Sequence, residues 1–161
     1  MSSKLFLRRC ALLGLLALGG CGFAPIYGDG DALRGQIAFE TSESVAGFYM
    51  RGRLEERLGV GVAPRFILSV TQSNTVQTAA ITSDGDITRL NVIGTANWTL
   101  SDALTGTQVE AGEVQTFTGY AATGSTTATQ AAADDATRRL SVSLADMIVT
   151  RLFALSLTLT P

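Results

Sequence analysis

The sequence predicts an α+β two-layer sandwich: a four-stranded, mostly antiparallel sheet packed by two helices, in the order βαβββα. Three observations carry that expectation. A stripe of Ala46, Met50, Leu54 and Leu58 recurs every four residues among Arg and Glu, as an amphipathic helix requires. Residues 89–100 alternate apolar and polar with period two, the pattern of a strand with one face on a core and one face polar. A second apolar stripe, Ala132, Ala136, Leu140, Leu144, Met147, Ile148, Leu152 and Leu155, marks a long helix near the end of the chain.

The chain opens on a segment that is not part of this fold. Lys4, Arg8 and Arg9 precede the apolar run Cys10–Leu18 and the small residues Gly19 and Gly20. A membrane span needs about 20 apolar residues, so this shorter run reads as a secretory signal peptide over residues 1–20. Leu18-Gly19-Gly20-Cys21 resembles the bacterial lipobox. That resemblance implies cleavage before Cys21, a thioether to diacylglycerol on its sulfur, and acylation of the new amino terminus. Two or three acyl chains give stable anchoring, at about 0.8 kcal/mol per buried CH₂. Cys10 is discarded with the leader. Gly22, where enteric-type sorting would read an Asp as an inner-membrane signal, favours the outer membrane.

Residues 21–33 are rich in Gly and Asp, carry Pro25, and read as a lipidated tether into a single domain over 34–161. Arg34–Glu40, with Gly35, Ile37 and Phe39 on one side, suggests a short first strand. Ser42 and Ser44 offer caps for the first helix, which Gly59, Gly61 and Pro64 stop. A second strand runs from Phe66 through Val76 to Ile81. Asp84-Gly85 then makes a hairpin turn. In the third strand Leu90, Val92, Gly94, Ala96, Trp98 and Leu100 share one face; Arg89, Asn91, Thr95, Asn97 and Thr99 share the other, interrupted by Ile93. Asp102 and Thr105-Gly106 turn the chain into a fourth strand from Gln108 to Tyr120. The last helix follows the loop 121–126, with capping-box spacing at Thr127 and Gln130. On it, Asp134 with Arg138 and Asp135 with Arg139 form i,i+4 pairs in the favourable order.

Composition excludes much chemistry. The 161 residues contain no His and two Cys, which removes histidine acid–base catalysis, Ser-His-Asp and Cys-His sites, and Cys₄ zinc centres. A sequence pI of about 5.0 argues against a nucleic-acid partner. Losing the leader takes the basic residues from 12 to nine, all Arg, and leaves the 14 acids, so the net charge falls from −2 to −5. Asp84 and Asp86 flank a turn glycine but supply too few oxygens for calcium. Glu55 and Glu56 point about 100° apart on a helix, and Glu110 and Glu113 lie on opposite faces of a strand. Gly59-Val60-Gly61 opens no helix and is not a dinucleotide fingerprint. No cofactor and no enzyme activity are expected. Arg89, on the polar strand face beside the hairpin, is the one candidate ligand contact, competing with an ion pair to Asp84 or Asp86.

The segment Cys21-Gly22-Phe23-Ala24-Pro25-Ile26-Tyr27 resembles the Cys-Gly-Phe-x-Pro-Leu-Tyr start of LptE-type lipopolysaccharide-assembly lipoproteins, especially alphaproteobacterial ones. Further likeness lies in Thr88-Arg89, Trp98-Thr99-Leu100-x-Asp102, Gly119-Tyr120, Ala131–Ala136 and Leu144-Ala145-Asp146-x-Ile148. The resemblance implies an outer-membrane lipoprotein facing the periplasm. It would plug and help assemble the LptD β-barrel, and the pair would deliver lipopolysaccharide to the outer leaflet. It also implies contact with lipopolysaccharide, whose phosphates Arg89 would meet. Two other readings remain open from the residues alone: a stand-alone lipid- or glycan-binding lipoprotein, and a hydrolase built on carboxylates.

Overall fold

The computed structural model describes residues 33–122 and 124–159, side chains from 156 onward excepted. Cys21, the tether up to Ala32 and the signal segment lie outside the described residues. The observed order is β1 (Ile37–Thr41), α1 (Val45–Leu58), β2 (Phe66–Ile81), β3 (Ile87–Asp102), β4 (Gln108–Ala121) and α2 (Thr126–Leu159). The four strands form one sheet in the order β1-β2-β3-β4. β1 runs parallel to β2, and the remaining pairs are antiparallel. The parallel pair follows from α1, the crossover that carries the chain back along the sheet.

Both helices lie on one face. There Ile37, Leu68, Leu100, Leu54, Leu58, Leu140, Leu144, Ile148 and Leu152 are at most 1% exposed. The cross-strand pairs Leu68–Leu100 and Val70–Trp98 set the even-numbered residues of β2 and β3 toward the helices. Gly94 lets α2 come down onto the sheet: a Cβ there would stand 2.8 Å from Leu140 Cδ2 and 3.0 Å from Leu144 Cδ1. Gly112 is covered in the same way by its cross-strand partner Trp98, whose Cζ2 would lie 2.9 Å from an added Cβ.

Local details refine the sequence reading. Leu33, assigned to the tether, is 6% exposed and belongs to the core. Ser44 caps α1, its hydroxyl accepting from Gly47 N–H at 3.1 Å, and Ser42 bonds to the Ser44 hydroxyl instead. Gly47 is buried on α1 because a Cβ there would meet Ser42 O at 2.0 Å; Ala46 is only half-buried. α2 is capped by Ser125, whose hydroxyl accepts from Ala128 N–H, rather than through Thr127 and Gln130. It also runs on to Leu159, past the expected end at Leu155. Met147, expected on its apolar stripe, is 37% exposed; Ala145 and Val149 are buried instead, since two helices and a sheet together cover more than one narrow stripe.

Of the two expected helix ion pairs, Asp135–Arg139 forms and Asp134–Arg138 does not. Asp135 receives both Arg138 and Arg139, and Asp134 accepts from Gln130 instead of pairing with Arg138. A longer-range clasp joins the helices: Arg53 of α1 grips Asp146 of α2 with Nε at 3.0 Å and Nη2 at 3.1 Å, and Arg57 adds a contact at 3.5 Å. The Asp146 bonds, then Glu56, hold the Arg53 guanidinium above its ordinary pKa.

Candidate functional site

The face of β2–β4 turned away from the helices carries no other element among the described residues, and its residues follow from the register. Across the strands it carries the rows Thr71–Asn97–Glu113, Ser73–Thr95–Gln115, Thr75–Ile93–Phe117 and Gln77–Asn91–Gly119. Its polar side chains are mostly uncharged donors and acceptors; Gln115 Nε2 donates to Thr95 Oγ1 at 3.0 Å. Between Thr71 and Thr99 in β2 and β3, and Ala111 and Ala121 in β4, its only charges are Arg89 and Glu113. Ile93 and Phe117 form an apolar rung, with Phe117 68% exposed, and the exposed Ile81 and Ile87 pair beside the hairpin turn. Such a face can exchange many hydrogen bonds with a polar wall and desolvates few charges.

Arg89 sits in β3 opposite Ala80 and Ala121 and is exposed. Neither Asp84 nor Asp86 forms an ion pair with it among the described residues, so the turn pair considered from sequence does not form. Its Nε lies 3.4 Å from where a Cβ of Gly119 would stand. Arg139 of α2 reaches the same residue from the other side. Its Nη1 donates to Thr118 Oγ1 at 2.9 Å and its Nη2 to Gly119 O at 3.3 Å. Two guanidinium groups thus converge on the hairpin end of β4, one of them without an acid. Sequence reasoning missed Arg139 here because Asp135 seemed to account for it.

At the other end of the sheet, Trp98, Glu110, Gly112, Glu113, Arg151 and Leu155 border a shallow hollow. The Trp98 indole N–H is buried there without an acceptor among the described residues. No group of three or more His, Cys, Asp or Glu able to hold a metal occurs among the described residues. No described helix is long and apolar enough to cross a membrane.

A model of the LptE family, described as lipopolysaccharide-assembly, matches residues 35–152, nearly all of the sheet and both helices. The chain belongs to the LptE family. Solved structures share the fold of this LptE-family chain. A lipoprotein from Caulobacter crescentus is 20% identical, with a TM-score of 0.67 over 82% of this chain and 98% of that one. Rare lipoprotein B from Shewanella oneidensis is 15% identical, with a TM-score of 0.61 over 77% and 98%. A minor lipoprotein from Acinetobacter baumannii is 15% identical, with a TM-score of 0.57 over 73% and 90%. At these identities the likeness speaks for the fold. A comparison with curated proteins gives no match.

Proposed function

We propose that this LptE-family protein is an outer-membrane lipoprotein, held by an acylated Cys21 and facing the periplasm, that plugs and helps assemble the LptD β-barrel. Together the two form the translocon that delivers lipopolysaccharide to the outer leaflet. The observation that carries the reading is the family match over residues 35–152, which takes in the sheet, α1 and most of α2. The polar face of the sheet supports it. A plug inside a polar lumen must replace water at many sites, and neutral Thr, Asn, Gln and Ser side chains do so at lower desolvation cost than ions.

Arg89 is the proposed contact for lipopolysaccharide phosphates. Its guanidinium has no acid partner among the described residues, and Arg139 lies against the same end of β4. A bidentate guanidinium–phosphate pair suits this geometry. The acidic balance of the processed chain gives no global attraction, so such a contact has to be local.

Affinity purification of the tagged full-length protein in mild detergent tests the reading. Stoichiometric recovery of LptD is expected. Recovery of the protein alone, still binding lipid or glycan saturably, would favour the stand-alone binder.

A further inference from the structure

One regular stretch of main chain in the sheet has no strand beside it among the described residues. β1 lies against Phe66–Val70 of β2 and stops at Thr41. From Thr71 onward β2 is paired on its β3 side alone. Hydrogen bonds at the start of β2 fix where its free groups point. Phe66 N–H donates to Gln36 O at 3.0 Å, toward β1, whereas Arg65 O accepts from Ala103 N–H at 2.9 Å, toward β3. Direction alternates along a strand, so even-numbered residues turn their N–H and C=O away from β3. Past Thr41, those of Gln72, Asn74, Val76 and Thr78 face outward with no strand among the described residues to meet them. The open stretch ends at Ala79, where the register against β3 slips. Thr71–Thr78 is therefore a slot of ordinary strand length, closed at one end by β1 and at the other by a bulge.

Exposed sheet edges are normally guarded by charge or proline. β2 carries neither between Phe66 and Ile81, while the opposite edge, β4, carries Glu110 and Glu113. At the foot of the slot, Thr41 shares a hollow with Val45 and Phe48, which are 68% and 73% exposed. On β2 itself, Gln72 Oε1 is buried without a donor among the described residues.

We propose that Thr71–Thr78 receives an extended, uncharged strand from a protein partner. In the reading above, on which this inference rests, the strand is a segment of LptD outside its closed wall. Main-chain groups in a row are satisfied by another main chain in extended form. A neutral strand is favoured because β2 offers no counter-charge to a charged one. A closed barrel has no free edge to lend, so the added segment comes from a loop or an extra-barrel region. A second copy fits poorly: pairing its slot antiparallel with this one sets its β1 in the line already held by Ala79–Ile81 and the hairpin turn.

The test uses the full-length protein purified alone and with LptD. Hydrogen exchange of the Gln72, Asn74, Val76 and Thr78 amides is expected to slow by about a hundredfold or more in the complex. The amides directed at β3 should change little. An Asn74→Pro/Val76→Pro variant removes two outward N–H groups that bond nothing in the sheet, so the fold survives, as it does for proline on edge strands. The variant is expected to recover LptD about tenfold less well. Thr75→Pro, which breaks a bond to β3, serves as the unfolding control. Wild-type recovery of LptD by the double variant, with the four amides as fast in the complex as in the isolated protein, overturns strand addition and leaves the plug reading standing. Failure of the wild type to bring LptD overturns the plug reading and, with it, this occupant. Slow amides in a homodimer overturn LptD as the source of the strand.

Discussion

A single methyl group added at Gly94 tests how α2 lies on the sheet. The new Cβ would stand 2.8 Å from Leu140 Cδ2, 2.9 Å from Leu140 Cγ and 3.0 Å from Leu144 Cδ1. Carbon atoms rest at about 3.5–4.0 Å, so the helix or both leucines must retreat by roughly 1 Å. Neither leucine has slack, since Leu140 is 1% and Leu144 0% exposed. Overpacking of this kind costs about 1–3 kcal/mol. The alanine recovers about 0.4–1 kcal/mol by restricting the unfolded chain, leaving a net loss of about 1–2 kcal/mol. With a urea m-value of about 2 kcal/mol/M, the midpoint of unfolding should fall by about 0.5–1 M. The cause is checked by a cycle with Leu140→Ala, which alone should cost about 2–5 kcal/mol. In the double variant the added methyl occupies part of the vacated space, so its own penalty should fall, leaving the contact with Leu144. A neutral or stabilising Gly94→Ala, or strictly additive effects with Leu140→Ala, would refute the close packing of α2.

Other predictions bear on separate parts of the molecule. Asp146→Asn should cost about 1 kcal/mol, discounted for partial exposure, because it loosens the grip of Arg53 and Arg57 between the helices; thermal unfolding measures it. Asp135, held below the usual carboxylate pKa first by Arg138 and then by Arg139, should titrate below an ordinary aspartate by carboxyl NMR. Its depressed folded value means that its contribution is present above the unfolded pKa and lost as pH falls through the folded one; Asp135→Asn should remove that acid-limb dependence. Arg89→Ala should weaken lipopolysaccharide binding with no change in melting temperature, since no partner among the described residues depends on it. Cys21→Ala should accumulate an unacylated, slower-migrating precursor that keeps its leader, and unchanged migration would count against acylation.

The two-layer α+β arrangement was legible because its periodicities are strong. The Met50–Leu54–Leu58 stripe and the alternation around Trp98 each name one face, and both faces are buried where those patterns require. Contacts decided by depth rather than period were not legible. Met147 fits the stripe arithmetically, yet the space under α2 is filled by Ala145 and Val149. The Arg53–Asp146 clasp joins residues 93 apart, beyond any local charge rule. Asp102 was legible as a turn residue. Its strength there comes from the backbone N–H of Thr105 and that of Leu104, which hold its carboxyl below the usual range. Arg89 was placed on the correct face by alternation alone, but its lack of an acid partner required the geometry of the hairpin.

The same clasp closes a loop that contains the whole β2–β4 meander. β2, β3 and β4 are joined by short turns, and hairpins close in about 1–10 μs, so the meander can assemble from neighbouring residues alone. β1 and α1 precede it, α2 follows it, and Arg53 meets Asp146 only once the chain around the meander has been emitted and both helices have settled on the sheet. Closing so long a loop is the slow, entropy-limited event. The apolar side of the sheet is therefore covered by segments from both ends of the described chain, and it is closed only when both helices are in place.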